Sequence, residues 1–358
     1  MNAKLVEEIA NAVLYEGYML YPYRPSSVKN RQRWNFGVVY PKAYSEMQSG
    51  SDNWFMQTEC LATGDSSTRL TIKMRFLQAV ARTIGELELP LNEWPHVTNS
   101  GPEPDFRLVE SLRVGDQTLQ SWQEAVEREI VISSFRLADP DFWQCSSVHV
   151  FPGGRELEPV RSLDGPIAAV IVRTKEAVTA KVNLAVAQVD DGLFRLTVRL
   201  SNISPTAVPP SANREDALLH SLLSAHTILN IEGGEFVSSI DPPAALKDFA
   251  ATCTNAGTWP VLAGEEGRHD CILSSPIILY DYPQIAPESP GNLFDGTEID
   301  EILALRILTL TDEEKNEMRN ADQRSRQILE RTESMPAEHF MKLHGVLRGL
   351  RPAEEERS

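Results

Sequence analysis

Two neighbouring segments in which apolar and polar residues alternate constrain the fold of this chain more than any other feature. The first covers residues 180–186, the second covers residues 194–200, and Asp191-Gly192 lies between them. An Asp-Gly pair tolerates the positive φ of a tight turn, and a period of two is typical of a half-buried strand. The pattern predicts an antiparallel hairpin whose solvated face carries Lys181, Arg195 and Arg199.

The flanking sequence predicts further strands and several helices. Leu5, Ile9 and Val13 recur four residues apart, which indicates an N-terminal helix. A Pro-rich link precedes a helix predicted over residues 213–228, in which His226 continues the apolar stripe as a core or interface histidine with satisfied hydrogen bonds. Apolar runs predict strands over residues 36–40, 54–60, 70–76, 129–135 and 272–280, and a short helix is expected over 243–251.

The C-terminal residues are predicted to be helical. Thr311 and Glu314 have the spacing of a capping box, in which each side chain accepts from the other residue's backbone N–H. We therefore expect an α+β fold of antiparallel sheet-based domains with a helical C-terminal tail. A Pro-Gly-Gly sequence at residues 152–154 suggests a boundary, and the expected parts are a mixed domain over 1–152, a sheet-and-helix domain over 153–296 and a helical segment over 297–358.

The charge of the chain limits its partners. It has 34 basic and 51 acidic residues, a formal net charge of −17. Such a field repels nucleic acid and anionic membranes, so we expect a protein partner and no membrane insertion. No apolar run approaches the ~20 residues of a membrane helix, and no signal peptide is apparent. These features predict a cytoplasmic protein whose cysteines, Cys60, Cys145, Cys253 and Cys271, are reduced.

The sequence motifs of several large enzyme classes are missing. The chain contains no GxGxxG, GxxxxGK(S/T), GxSxG or HExxH sequence in a suitable context. This argues against nucleotide-dependent, lipase-like and zincin-like activities. Whether the chain is an enzyme stays open, and the balance favours a non-catalytic role with no cofactor.

Cys253, His269 and Cys271 form the densest collection of soft metal ligands in the sequence. Zinc and iron accept thiolate and imidazole ligands. A strand beginning at Cys271 would place residues 269 and 271 on one side, since positions i and i+2 share a face. The spacing matches no known ligand motif, so buried structural thiols beside an exposed His-Asp pair are the favoured alternative.

Two segments have the composition of partner-binding surfaces. Residues 18–34 combine aromatic with basic residues, and residues 281–296 form a Pro-rich loop longer than the ~12–15 residues usual in compact domains. Aromatic and Arg side chains are enriched at protein interfaces. Packing against their own domain is the alternative. The side chains expected to contact a partner are Tyr21, Tyr23, Arg24, Arg31, Arg33, Trp34, Ile285, Leu293 and Phe294.

Several runs in the C-terminal half resemble a known family. They are residues 217–226 (ALLHSLLSAH), 257–264 (GTWPVLAG), 274–291 (SSPIILYDYPQIAPESPG), 294–303 (FDGTEIDEIL) and 308–314 (LTLTDEE). These runs are similar to an uncharacterised bacterial family encoded beside high-affinity, actinobacterial-type nickel–iron (NiFe) hydrogenases, among maturation and accessory genes. The resemblance extends over the whole length, is strongest from residue 216 to residue 314, and supplies no catalytic residues.

The resemblance implies a setting for the chain. It points to a non-catalytic accessory or assembly factor that contacts NiFe hydrogenase subunits or maturation proteins. Two alternatives remain open from the residues themselves. One is a metal-dependent enzyme or metal carrier with a Cys/His site, and the other is a structural interaction module unrelated to hydrogenase.

Overall fold

The computed structural model describes residues 3–15, 37–50, 52–94, 103–115, 117–137, 139, 143–162, 165–205, 214–284, 307–321 and 323–334. Antiparallel strands dominate these residues and form two large sheets that pack face to face, which confirms the predicted sheet-based architecture. The helices of the described residues are α1 (Ala3–Tyr15), α2 (Lys42–Met47), α3 (Arg214–Leu219), α4 (Lys247–Ala250), α5 (Asp312–Ala321) and α6 (Gln323–Glu333), and a single 3-10 turn covers Ala244–Leu246.

The smaller sheet contains the predicted hairpin. In spatial order its five strands are β13 (Glu235–Phe236), β1 (Phe55–Thr63), β11 (Leu193–Asn202), β10 (Val178–Asp190) and β7 (Gln144–Phe151). Strands β10 and β11 pair along their length, and Gly192 in the turn between them has a φ of +65°. Alternate side chains of both strands are buried, so the hairpin prediction is confirmed.

The larger sheet is organised around one long strand, β2 (Arg69–Leu91). Its other strands are β3 (Phe106–Val109), β6 (Trp122–Arg136), β8 (Gly154–Arg161), β9 (Ile167–Lys175), β12 (Leu222–Glu232), β14 (Trp259–Leu262) and β15 (Cys271–Ser275). The first half of β2 bonds β12 on one side and β6 on the other, and its second half bonds β9 and β3. A separate hairpin consists of β4 (Ser111–Val114) and β5 (Gln117–Gln120).

Both large sheets combine strands from either side of residues 152–154. Strand β1 bonds β11, and β2 bonds both β9 and β12. The apolar cluster between the sheets also joins the two parts, since Met74 and Phe76 pack with Leu184 and Leu196. The boundary suggested by the sequence therefore does not separate the two sheets.

Two helix predictions are confirmed. The apolar face of α1 packs on the outer face of the larger sheet against Ile228 and Leu273. At the start of α5, Thr311 N donates to Glu314 Oε2 (2.6 Å) and Glu314 N donates to Thr311 Oγ1 (3.3 Å), as a capping box requires. Among the described residues, no helix has the length and apolar character needed to cross a bilayer.

The helix predicted over residues 213–228 is wrong for most of its length. Helix α3 ends at Leu219, and the chain continues as β12, which bonds to β2. The leucines of this region fit a helical stripe as well as a strand, and pairing with β2 decides between the two. His226 is a core residue, as predicted, but it lies on a strand. The strand predicted over 272–280 ends earlier, at Ser275.

Candidate partner-binding site

A hollow of about 240 Å³ opens where the starts of β1 and β14 meet residues 37–40. Its lining includes aromatic side chains, a cation and an acid, namely Tyr40, Phe55, Trp259, Arg214 and Asp52. Trp259 is 44% exposed and the Arg214 side chain is 62% exposed. A hollow of this size can accept one anchoring side chain of a protein partner. We call it the Tyr40–Arg214 hollow.

Arg214 is held at the rim by two side chains. Its Nε donates to the Tyr40 hydroxyl oxygen at 2.7 Å, and its Nη2 lies 3.7 Å from Asp52 Oδ1. The guanidinium lies 5.7 Å from the centre of the Tyr40 ring, within cation–π range. The hydrogen bond to Tyr40 raises the pKa of Arg214, and burial raises the pKa of Tyr40. Arg214 is therefore a fixed cation with accessible N–H groups.

Backbone hydrogen bonds hold residues 37–40 on two sides. Val39 exchanges hydrogen bonds with Leu222 at 2.9 and 3.1 Å, and Tyr40 N donates to Asn53 O at 2.9 Å. The buried amide of Asn202 also donates to the Val39 carbonyl at 2.9 Å. Because the rim is fixed before binding, this chain loses less conformational entropy when a partner docks there.

Gly37 permits a close approach between this segment and the residues after β15. Its φ is +59°, and a Cβ at this position would lie 2.5 Å from Pro276 Cγ. Both residues line the hollow. A side chain at position 37 would therefore change the shape of the hollow directly.

Three buried hydroxyl groups connect the two sheets beside the hollow. Thr58 Oγ1 on β1 donates to Ser274 Oγ on β15 at 2.7 Å, and Thr258 Oγ1 lies 2.8 Å from the same oxygen. Each of the three residues is buried, and Met56 and Trp259 of the lining are close to them in sequence. These hydrogen bonds fix the spacing of the strands that carry the lining.

A second hollow, of about 350 Å³, adjoins the first across Asn53 and Phe55. The rings of Trp54 and Phe55 pack edge to face, 5.2 Å apart. Lys42 Nζ lies 4.9 Å from the Trp54 ring centre, and the Arg199 guanidinium lies 4.3 Å from that of Phe55. The two hollows and the two cations beside them form a surface that we call the aromatic–cation surface, which consists of Tyr40, Lys42, Trp54, Phe55, Arg199, Arg214 and Trp259. Two acids, Asp52 and Glu46, also line the hollows.

Two of the predicted metal ligands, Cys253 and Cys271, pack in different apolar clusters, and His269 lies just before β15, where its carbonyl accepts from Phe236 N at 2.7 Å. Cys253 packs near Leu61 and Val237, whereas Cys271 packs beneath α1. Burial raises the pKa of both thiols, that of Cys271 to about 12. Within the described ranges, no three His, Cys, Asp or Glu side chains are grouped so that they could hold a metal ion. The geometry therefore gives no support to a zinc or iron site at Cys253, His269 and Cys271.

The side chains predicted to contact a partner lie outside the described residues. They are Tyr21, Tyr23, Arg24, Arg31, Arg33, Trp34, Ile285, Leu293 and Phe294. Their role stays a prediction. The described chain resumes at Gly37, which lines the hollow, so the aromatic–basic segment immediately precedes this site in sequence.

The sequence gives little indication of the residues that line the hollow. Tyr40 ends a short predicted strand, and Arg214 lies in a predicted helix. The available signal is Trp259, which falls in the run 257–264 that carries the family resemblance. Its exposure depends on how β14 meets β1, which a local pattern does not encode.

No family model matches the chain, and no curated protein matches it in sequence. The geometry of the aromatic–cation surface is therefore the main guide to function.

Proposed function

We propose that this chain is a non-catalytic accessory or assembly factor that acts with a NiFe hydrogenase in the cytoplasm and binds its protein partner through the aromatic–cation surface. The observation that carries the binding role is the Tyr40–Arg214 hollow, with its fixed cation beside exposed Trp259. The hydrogenase setting rests on the resemblance of the C-terminal runs. If the partner is not a hydrogenase protein, the same surface fits the alternative function, an interaction module that binds another protein.

The residue types of the surface favour a protein partner. Trp, Tyr and Arg contribute most of the binding energy at protein interfaces, where they anchor in small pockets. Arg214 would bind a carboxylate of the partner, and the rings of Phe55 and Trp259 would bury a neighbouring apolar side chain. An acidic residue beside an aromatic or aliphatic one is therefore the expected anchor.

The pKa values of the described thiols argue against a cysteine nucleophile. Burial raises the pKa of Cys60, Cys145, Cys253 and Cys271. A thiol with a raised pKa is a poor nucleophile near neutral pH, because the thiolate is the reactive form. These cysteines fit packing roles.

The proposal extends to the architecture, which we describe as α+β with a helical C-terminal tail. Helices α5 and α6 follow one another, and Ile307, Met318 and Leu329 form their own apolar cluster. These contacts support a helical unit at the end of an otherwise sheet-based chain.

The test is an anaerobic pull-down of the tagged protein from its native host, read by mass spectrometry. Wild type and three variants are compared: Arg214→Ala, Trp259→Ala and the control Arg107→Ala. Arg107 is also exposed and ion-paired, but it lies on β3, away from the hollow. We expect hydrogenase subunits or maturation proteins with wild type and the control. Each hollow variant should weaken capture by about 2 kcal/mol, roughly thirtyfold in Kd.

Three outcomes would contradict parts of this proposal. Equal capture by Arg214→Ala and the control would exclude the hollow as the docking site. Capture of an unrelated protein that depends on Arg214 would keep the binding role and remove the hydrogenase setting. Wild-type hydrogenase activity and cofactor content in a clean deletion strain would also count against that setting.

A further inference from the structure

The edge strand β7 differs from the other terminal strands of the two large sheets. Exposed edges pair with other strands, and proteins block them by shortness, proline or charge. Strand β13 has two residues, β14 is short and contains Pro260, and β8 contains Pro159 and four charged residues. Strands β3 and β6, which among the described strands pair only with β2, are blocked in the same ways, since β3 has four residues and β6 carries five charged residues. Strand β7 has eight residues, QCSSVHVF, with no proline, Asp, Glu, Lys or Arg.

The hydrogen-bond pattern shows which backbone groups of β7 face away from β10. Val186 N donates to Trp143 O at 3.2 Å, so these opposite residues form a hydrogen-bonded pair. Such pairs alternate along an antiparallel ladder, and the odd-numbered residues of β7 therefore bond to β10. The N–H and C=O groups of residues 144, 146, 148 and 150 point to the open edge. Within the described residues, β10 is the only strand paired with β7.

The same even-numbered residues present their side chains to solvent. Val148 is 56% exposed and Val150 is 66% exposed, and Gln144 and Ser146 are also exposed. Exposed β-branched residues on an uncharged strand favour pairing with another strand. The edge thus offers backbone donors, backbone acceptors and apolar side chains together.

We propose that β7 pairs antiparallel with β7 of a second copy of this chain, so that the two five-stranded sheets become one continuous sheet. A two-fold axis near Ser147 would place Ser146 opposite Val148 of the partner subunit and Gln144 opposite Val150 of the partner subunit. Each outward residue carries both a donor and an acceptor, so the strand is complementary to itself under this symmetry. No like charges oppose each other in the pairing, although each chain carries −17 overall.

The negative net charge of both subunits predicts how the dimer responds to salt. Repulsion between two acidic chains is screened as ionic strength rises, so the dimer should tighten at higher salt. An interface held by charge pairs would weaken instead. The contact area of a single edge pairing is small, so we expect dissociation in the micromolar range or above.

The test is sedimentation equilibrium of the full chain over a wide concentration range, at low and high NaCl. Three variants are compared: Val148→Lys, Val148→Thr and the control Leu108→Lys, which places the same charge at a residue of β3 that is 60% exposed. We expect dimers for wild type, Val148→Thr and Leu108→Lys. Val148→Lys should weaken association at least tenfold, because the two lysines would be diagonal neighbours across the axis and would replace two apolar side chains. Thermal unfolding of each variant confirms that it folds.

Amide hydrogen exchange identifies the interface independently. The N–H groups of Ser146, Val148 and Val150 should gain protection as wild-type concentration rises, and those of the control should do the same. A chain that stays monomeric at every concentration and salt would overturn the proposal. So would a dimer that Val148→Lys leaves unchanged, or protection confined to another surface. Pairing of β7 only with a different protein would also overturn it.

Discussion

At His226, burial and an irregular backbone act on the same side chain. The residue is fully buried, and its Nδ1 lies 3.1 Å from Ser224 O. A carbonyl only accepts, so Nδ1 carries the proton of the neutral ring, and Nε2 has no hydrogen-bond partner among the described residues. Ser224 has a φ of +52° at the bulge where β12 loses register with β2. Burial lowers the pKa of His226 to about 4, and nearby Arg75 adds to this effect.

This pKa predicts a loss of stability in acid. The folded value of about 4 lies below the unfolded value of ~6.5, so the contribution of neutral His226 is complete above pH 6.5 and falls as pH drops toward 4. The expected loss is about 3 kcal/mol in the free energy of unfolding. His226→Gln keeps a donor for Ser224 O and does not titrate. The free energy of unfolding, measured with urea at several pH values between 7 and 4, should therefore fall less steeply with decreasing pH in this variant than in wild type.

The control for this experiment is His220→Gln, since His220 is partly exposed. It should keep the wild-type slope. If the free energy of unfolding depends on pH equally in wild type and His226→Gln, another group causes the acid sensitivity. The sequence predicts a core or interface histidine at 226 with satisfied hydrogen bonds. The burial is confirmed, but Nε2 has no partner among the described residues, because the surroundings of the ring depend on tertiary packing that periodicity does not encode.

At the scale of elements, sequence reasoning works where local chemistry and tertiary pairing agree. The β10–β11 hairpin is predicted because Asp191-Gly192 and the alternation give the same answer. The helix prediction for residues 213–228 fails because their leucines fit both a helical and a strand period. The pairing with β2, which decides for the strand, joins residues far apart in sequence. Only residues 70–76 of β2 are predicted, and the residues from 85 onward are left unassigned because prolines at 90 and 95 interrupt the pattern. Gly85 lies within the strand. A Cβ there would meet Phe106 at 2.5 Å, so the sheet requires this glycine.

The packing of residues 37–40 on the end of β15 gives a matched pair of variants. Gly37 and Gly50 both have positive φ, +59° and +75°. Gly50 lines the second hollow, so it is a control for stability and not for partner capture. A Cβ added at Gly50 would meet no atom within 4 Å, whereas one added at Gly37 would meet Pro276. Gly50→Ala should cost about 1–2 kcal/mol for the left-handed backbone. Gly37→Ala should cost about 1–3 kcal/mol more because of overpacking, and it should also reduce partner capture.

Urea unfolding of both variants measures the difference, and the pull-down described above measures the effect on binding. Equal destabilisation by the two substitutions would mean that Pro276 moves aside without cost. If Gly37→Ala captures the partner as well as wild type, binding does not depend on the shape of the hollow at this position.

For the whole molecule, net charge is the property that acts on every element together. The formal charge of −17 favours expansion through self-repulsion. Salt also weakens exposed ion pairs such as Lys42–Glu46, but a pair of this kind contributes only ~0–1 kcal/mol. Raising NaCl from low to about 0.5 M should therefore increase the free energy of unfolding in urea, by about 1 kcal/mol or more.

Potassium chloride at the same concentration is the control, because screening does not depend on the identity of the cation. A fall in stability with salt would show that ion pairs outweigh self-repulsion. A difference between the two salts would indicate binding of a specific ion.

The position of β2 at the centre of the larger sheet has a consequence for synthesis on the ribosome. The strand emerges early, but β12, which covers one side of its first half, is translated much later. At ~5–20 residues per second, this interval is on the order of ten seconds. During that time Leu70, Ile72, Met74 and Phe76, all buried in the folded chain, have no β12 beside them. A nascent chain that stalls before β12 is therefore a natural client for ribosome-bound chaperones.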